Sequence, residues 1–228
     1  MNFPLSGDYI DIHTHDSVPE KGVFAVENLM AHELRTPMDI PERACTFGIH
    51  PWHLDLYSID SLIEKVHSVS TSGNLIAIGE AGFDKLRGPS REIQERAFEA
   101  QLHVSESLSK PLIIHCVRAW DELFPVHKRM KPKMPWLIHG FRGKVELADQ
   151  LISKGMYISF WFDFAMRNES SALIRSLPAD RIFLETDGAG IDIRIMYEKV
   201  AADLNISSGQ LMSRINNNFR NLFNARNA

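Results

Sequence analysis

Residues 9–16 read Tyr9-Ile10-Asp11-Ile12-His13-Thr14-His15-Asp16, a short apolar run that ends in two histidines one residue apart. Side chains alternate between the faces of a strand, so Asp11, His13 and His15 fall on one face and Ile10 and Ile12 on the other. This spacing suits two imidazoles that bind one divalent ion, with Asp11 as a partner for a ring N–H. A chance pair is the alternative in a chain with ten histidines. Further ligand types at other strand ends decide between the two readings.

The composition bounds the class of protein. A chain of 228 residues, 44% hydrophobic and 24% charged, predicts a single domain over residues 1–228. It has no apolar run of membrane-spanning length and no signal-peptide pattern near residue 1, so we expect no membrane partner and a cytoplasmic location. Cys45 and Cys116 match no redox pair and are predicted to be buried thiols. The net charge of −4 predicts no broad field for nucleic acid, so any polyanion binding must be local.

Apolar strand candidates alternate with segments of helical period along the chain. This alternation predicts an α/β fold, a (β/α)8 TIM barrel. The strand candidates lie at 9–13, 24–29, 45–49, 75–80, 112–116, 136–140, 156–160 and 182–187. The helix candidates run from Ser58 to near Gly73 and over 90–108, 119–130, 143–153, 168–177, 192–204 and 208–223. Only residues 14–23 separate the first two strands, too few for a crossover helix, so the barrel is expected to be irregular or truncated there.

Polar ligand types stand at the predicted strand ends. Barrel enzymes place their chemistry at the C-terminal ends of the strands. A neutral core histidine explains any one such position, but hardly all of them together. The set exceeds what one ion requires and predicts two metal ions with a bridging carboxylate. Its members are His13, His15, Glu80, His115, His139 and Asp187, and His50 ends the third strand.

Several longer motifs occur around these residues in a fixed order. They are Asp-Ile-His-Thr-His at 11–15, Gly-Ile-His-Pro at 48–51, Ile-Gly-Glu-Ala-Gly-Phe-Asp at 78–84, Pro-Leu-Ile-Ile-His-Cys-Val-Arg-Ala at 111–119, Ile-His-Gly-Phe-Arg-Gly at 138–143 and Leu-Glu-Thr-Asp at 184–187. In these motifs, and over residues 9 to about 223, the chain resembles the TatD family of metal-dependent hydrolases. The resemblance implies the same six residues as metal ligands.

The chain departs from the family pattern in three places. Asp16 stands where the family usually has an apolar residue, and the first βα segment is shorter than in the family. The Ser-Pro that tends to follow Asp187 is replaced by Gly188-Ala189-Gly190, which predicts a more mobile loop. Glu80 occupies the place where related amidohydrolases often carry a modified lysine. The first two departures bear on how a substrate reaches the site from that side of the barrel.

Each site residue has a predicted role. Glu80 bridges or co-ligates, and Asp187 binds metal alone or also accepts a proton from water. His50 contacts a substrate phosphate or is a locally bonded turn residue. Arg118 and Arg142 contact phosphate in bidentate fashion or are ordinary surface arginines. The expected ions are Mg²⁺, Zn²⁺ or Mn²⁺. Lys85 and Arg87 add to the few cations at the rim of the site. Five aromatic residues are predicted near the same strand ends, mostly as packing residues: Trp52, Trp120, Trp136, Trp161 and Phe141.

Three classes of function compete at this point. The resemblance implies a phosphodiesterase, a deoxyribonuclease that attacks DNA ends or single strands with a metal-activated water. The second class is a metal-dependent hydrolase of a small ester or amide, which the acidic net charge favours. The third is a non-catalytic barrel that binds a partner, and the presence of every ligand type argues against it. No stable protein partner is predictable from the sequence.

Overall fold

The computed structural model describes residues 3–33, 40–69 and 72–223. Strands and helices follow one another in the predicted order, and each of the predicted strands is present. The strands are β1 Tyr9–Thr14, β2 Val23–Met30, β3 Cys45–Gly48, β4 Leu75–Asp84, β5 Leu112–Val117, β6 Trp136–Ile138, β7 Tyr157–Trp161 and β8 Ile182–Glu185. The helices are α1 Ile59–Ser68, α2 Arg91–Leu108, α3 Trp120–Met130, α4 Val145–Ser153, α5 Phe162–Ala165, α6 Ser170–Ser176, α7 Ile193–Asp203 and α8 Ser208–Phe223.

The helix boundaries differ from the sequence prediction in two respects. The first helix ends at Ser68 and does not reach Gly73. The short helix α5 and a 3-10 turn over Pro51–His53 were not predicted, because neither is long enough to show a helical period. The predicted cap is confirmed, since the Ser58 hydroxyl accepts a hydrogen bond from the backbone N–H of Ser61.

The described residues divide into two compact units. Residues 28–136 belong to what we call the central unit, and residues 3–27 and 137–223 to the terminal unit. Strand β2 is shared, because the boundary falls between Glu27 and Asn28. The single domain expected over residues 1–228 stays a prediction.

The sheet of the central unit is built around β4. Strand β4 pairs in parallel with β3 on one side and β5 on the other, and all of its residues are buried. Strands β4 and β5 approach very closely at Gly82, where an added Cβ would lie 1.8 Å from the carbonyl oxygen of His115. Only glycine permits this approach, so Gly82 fixes the backbone position from which the His115 side chain projects.

In the terminal unit, β1 pairs in parallel with β2, and β7 pairs in parallel with both β6 and β8. The backbone N–H of Asp187 donates to the carbonyl of His13, which ties the segment after β8 to β1. Residues 15–22, which join the parallel strands β1 and β2, contain no helix. The irregularity predicted for this part of the chain is therefore confirmed.

Helix α7 contacts strand β1 through the side chain of Tyr197. The hydroxyl of Tyr197 donates to the carbonyl oxygen of Ile10 and accepts from its backbone N–H, both at 3.0 Å. The Tyr197 side chain is fully buried, and this burial raises the pKa of its phenol. Two backbone groups of the strand that carries His13 thus depend on one phenolic oxygen.

Tyr197→Phe is expected to lower the free energy of unfolding by about 1 to 3 kcal/mol, because buried backbone groups of Ile10 lose this partner while the ring volume is kept. Urea unfolding measures the change, and Tyr57→Phe, on a half-exposed ring, is the matched control. A loss no larger than that of the control would contradict the assigned role.

Within the described part of the chain, no helix combines the length and the hydropathy that a membrane span requires. Cys45 is buried, as predicted, whereas Cys116 is only half-buried, and these two cysteines form no disulfide. Burial raises the pKa of Cys116, which keeps this sulfur in its unreactive protonated form.

Candidate metal centre

The residues predicted at strand ends do not all end their strands: Glu80 lies within β4, and His15, His50, His139 and Asp187 lie just after β1, β3, β6 and β8. Strand β4 continues past Glu80, because its pairing with β5 extends to Asp84 opposite Val117. Strands β6 and β8 end at Ile138 and Glu185, so His139 and Asp187 lie on the segments that follow. Trp136 was placed near the same ends as the ligands, and this is wrong, because it is the first residue of β6.

The central unit contains a cluster of three buried ligand types, His50, Glu80 and His115, which we call the central cluster. The Oε2 atom of Glu80 lies 3.5 Å from Nδ1 of His115 and 3.7 Å from Nε2 of His50. The two imidazole nitrogens are 3.2 Å apart. His50, predicted as a substrate contact, therefore lies among the ligand candidates.

Asn28 fixes the orientation of Glu80. Its Nδ2 donates to Oε1 of Glu80 at 3.0 Å, and its Oδ1 accepts from the backbone N–H of Glu80 at 3.1 Å. The hydroxyl of Thr46 donates to the same Oδ1. One carboxylate oxygen of Glu80 is thus held by Asn28, and the other faces the two histidines.

Asp84 fixes the orientation of His115. Its Oδ2 lies 3.2 Å from Nε2 of His115 and accepts from the indole N–H of Trp52 at 2.6 Å. Burial alone would raise the pKa of Asp84, but the hydrogen bonds from His115 and Trp52 hold this pKa well below its usual range. An ionised Asp84 favours the tautomer of His115 with its proton on Nε2, which turns the Nδ1 lone pair toward Glu80.

Neither Asn28 nor Asp84 was assigned a role from the sequence. For Asp84 a signal existed, because Glu80 and Asp84 are four residues apart in one strand and so share a face. Asn28 gave none, since a single amide in a predicted strand is common.

The terminal unit contains a second cluster, His13, His15 and Asp187, which we call the terminal cluster. The Oδ1 atom of Asp187 lies 3.5 Å from Nε2 of His15 and 3.7 Å from Nε2 of His13. The ring of His139 lies beside that of His13, with centroids 4.5 Å apart, and its Nδ1 is 3.4 Å from Oε1 of Glu185. The structure thus brings four of the predicted ligands together in this unit.

Two other carboxylates support the terminal cluster. Asp11 accepts hydrogen bonds from the backbone N–H and the hydroxyl of Thr186, so this carboxylate, predicted to hold an imidazole, bridges β1 to the end of β8. Burial raises the pKa of Asp11 to about 7, against the hydrogen bonds from Thr186, which lower it. Glu185 accepts a hydrogen bond from the hydroxyl of Ser159.

A cavity of about 350 Å³ opens beside the terminal cluster. The short segment after β1 lines one side, from Thr14 to Glu20, and residues 186–193 line the other. Gly188 adopts φ 73° and an added Cβ would lie 3.3 Å from that of His15. The truncated first segment and the glycine loop thus border an open space next to His15.

The two predicted phosphate contacts lie on the protein surface. Arg118 is exposed on the segment after β5, in the central unit, with φ 53°. Arg142 is exposed in the terminal unit, and its guanidinium carbon lies 4.8 Å from the ring centre of Trp161.

The spacing of both clusters fits a divalent ion. Bonds of about 2.0 to 2.2 Å from zinc to nitrogen or oxygen put tetrahedral neighbours roughly 3.4 Å apart. The separations of 3.2 to 3.7 Å within the clusters match this value. Imidazole suits Zn²⁺ and carboxylate suits Mg²⁺ or Mn²⁺, so the donor set admits each of these ions.

The order of strands and helices, together with ligand clusters beside the strands, defines the class as a (β/α)8 barrel with metal-binding potential. Solved structures share the fold. YJJV, a TatD homologue from Escherichia coli K12, matches with a TM-score of 0.78 and 20% identity over 96% of this chain and 99% of its own. The phosphotriesterase homology protein of E. coli matches with a TM-score of 0.62 and 14% identity over 94% and 98%. The predicted fold class is confirmed.

A family model described as "TatD related DNase" matches residues 30–224, and the chain belongs to this family. One relative is the "3'-5' ssDNA/RNA exonuclease TatD" of Pectobacterium parmentieri, 34% identical over 165 residues, which make up 70% of this chain and 63% of the relative. Another is the "Deoxyribonuclease Tat-D" of Schizosaccharomyces pombe, 25% identical over 65% of this chain and 52% of the relative. The match thus spans less than two thirds of either relative.

Proposed function

We propose that the chain is a divalent-metal-dependent hydrolase of phosphodiester bonds, a deoxyribonuclease that acts on strand ends or single strands. The observation that carries the proposal is the pair of histidine–carboxylate clusters, each with ligand spacing. Membership of the TatD-related DNase family supports it, as do the relatives whose names describe an exonuclease of single-stranded DNA and RNA.

Each cluster holds one ion in this proposal. His50, Glu80 and His115 bind the first, and His13, His15 and Asp187, with His139 beside them, bind the second. A bound divalent ion lowers the pKa of water and neutralises charge on the attacked phosphate. The two carboxylates differ in exposure, 3% for Glu80 and 31% for Asp187. Glu80 is therefore the buried ligand, and Asp187 is the carboxylate that water reaches and that accepts its proton.

Substrate contacts in the proposal come from exposed guanidinium groups. Arg118 and Arg142 present planar donor forks that match a phosphate in bidentate fashion. The net charge of −4 leaves no large basic surface, so few phosphates are bound at one time. A strand end or a flexible single strand meets this requirement better than a stiff duplex. A cytoplasmic location remains an expectation.

Linear single-stranded DNA is expected to be degraded, whereas a covalently closed duplex circle stays intact, because the proposal requires an end or a single strand. We also expect a log–log salt slope of about 1 to 3, since each neutralised phosphate on a single strand contributes roughly 0.7. Gel analysis of both substrates with metal-loaded protein over a range of salt measures this. The same linear strand closed into a single-stranded circle separates end-directed from single-strand-directed attack.

Efficient nicking of the closed duplex, or a slope steeper than about 5, would require a larger basic surface than the chain offers and would overturn the end-directed mode. Hydrolysis of small esters or amides with no attack on any DNA would instead favour the second function class.

A further inference from the structure

A polar cavity of about 270 Å³ lies in the central unit and has no role in the proposed function. It is bordered by the loop after β4 and by the starts of α2 and α3. Asp84, which lines it, also contacts His115 of the central cluster. Three cations line the cavity: Lys85, Arg87 and Arg91.

These cations differ in their partners. Lys85 pairs with Asp121 at 2.5 Å and with Glu122 at 3.1 Å, and Arg91 pairs with Glu95 at 3.5 Å. The guanidinium carbon of Arg87 lies 3.7 Å from the ring centre of Trp52. Within residues 3–33, 40–69 and 72–223, Arg87 forms no ion pair with a carboxylate. A guanidinium that lies over an aromatic ring keeps its N–H donors, which lie in the guanidinium plane, available to an anion.

The loop that carries Arg87 is fixed by two buried side chains. The Oδ1 atom of Asp84 accepts from the backbone N–H groups of Leu86 at 2.7 Å and Arg87 at 3.1 Å. Gln94 accepts from the backbone N–H of Asp84 at 2.8 Å. Its Nε2 donates to the carbonyl oxygens of Asp84, Arg87 and Pro89. Binding an anion here requires little ordering of the backbone, which favours affinity.

Trp52 connects this loop to the central cluster. Its ring centre lies 3.7 Å from the Arg87 guanidinium carbon and 4.8 Å from the ring centre of His50. Arg87 and His50 are therefore no farther apart than the sum of these distances. One strand of B-form DNA rises about 3.4 Å per nucleotide along the helix axis. The separation of Arg87 from His50 is therefore no more than the rise of a few nucleotides.

We propose that Arg87, stacked on Trp52, binds a phosphate group of a nucleic acid strand other than the phosphate that is attacked. This inference rests on the proposed function and deepens it, because it names the side chain that recognises the strand beyond the scissile bond. The fork of Arg87 provides bidentate recognition, and Asp84 links this subsite to His115 through one carboxylate.

The test compares thymidine dinucleotides with and without a terminal phosphate. TpT contains only the phosphodiester that is cleaved, whereas pTpT and TpTp each add one phosphate at a defined end. With the metal-loaded wild type, at least one of the two is expected to be cleaved with a kcat/KM about tenfold or more above that of TpT. In Arg87→Ala this gain should fall below about twofold, while TpT itself is cleaved as by the wild type.

Arg96→Ala is the matched control, since Arg96 is an exposed arginine of helix α2 that pairs with Asp60 and does not line the cavity. It should keep the full gain. Calorimetric binding of TpT, pTpT and TpTp to metal-free protein gives a second readout without turnover. The wild type, but not Arg87→Ala, should prefer a phosphorylated dinucleotide.

Where the wild type hydrolyses TpT, persistence of the phosphate gain in Arg87→Ala, or no gain with either phosphorylated dinucleotide in the wild type, would overturn the inference. Failure of the proposed function has a different signature. In that case the wild type hydrolyses none of the dinucleotides, and the calorimetric preference alone decides the role of Arg87.

Discussion

Chelation of divalent ions will abolish hydrolysis by this chain and lower its melting temperature. Both effects follow from the two clusters, in which imidazoles and carboxylates with ligand spacing would face one another without the cation that balances them. An ion that binds only the folded state stabilises it by mass action, by about 2.7 kcal/mol when its concentration is a hundred times the dissociation constant. Activity on single-stranded DNA and thermal unfolding, before and after chelation and after addition of Mg²⁺, Mn²⁺ or Zn²⁺, measure the result.

Metal stoichiometry makes this prediction specific to the two clusters. The wild type is expected to bind about two ions per chain by elemental analysis, in line with a two-metal site. His50→Ala removes a ligand of the central cluster and His15→Ala one of the terminal cluster, so each should reduce the bound metal by about one ion. His103→Ala, on α2 and outside both clusters, is the control. Full activity in metal-free protein, or stoichiometry that both cluster variants leave unchanged, would contradict the metal assignment.

The fold was predictable because its signals are local. Each buried strand is an apolar run, and the helices between them show a 3.6-residue period, as in α1 with Leu62 and Val66 buried. The absence of a helix between β1 and β2 was also predictable, since only a short segment separates them. The ligand candidates could be proposed for a related reason: a histidine or a carboxylate at the end of an apolar run is unusual enough to be noticed.

The partners that orient these ligands were not predictable in the same way. Asn28 and Glu80 form a hydrogen bond although they are far apart in sequence, and Tyr197 and Ile10 do so from opposite ends of the chain. Such pairs depend on tertiary packing, which the period of one segment does not encode. The extension of β4 to Asp84 was missed for the same reason, because its pairing with β5 continues after the apolar run becomes polar.

Replacement of either acidic ligand by its amide is expected to lower turnover by about a hundredfold or more with little loss of folding. In Glu80→Gln the side-chain carbonyl can still accept from Nδ2 of Asn28, but an amide nitrogen then faces His50 and His115, where a ligand oxygen is required. In Asp187→Asn the left-handed backbone at φ 50° is retained, because asparagine tolerates this region as well as aspartate does. The backbone hydrogen bond from Asp187 to His13 is also independent of the side chain.

The controls for these variants use the same chemical change away from the clusters. Glu99→Gln, on α2 beside Arg129, and Asp163→Asn, beside Arg167, each remove one half-exposed carboxylate of a surface pair, which contributes about 1 kcal/mol or less. Turnover of linear single-stranded DNA, circular dichroism and bound metal are measured on all four variants. If Asp187 is the proton acceptor as well as a ligand, Asp187→Asn should remain slow even at metal concentrations that restore its full occupancy. Near-normal turnover in both ligand variants would show that the two carboxylates lie outside the chemistry.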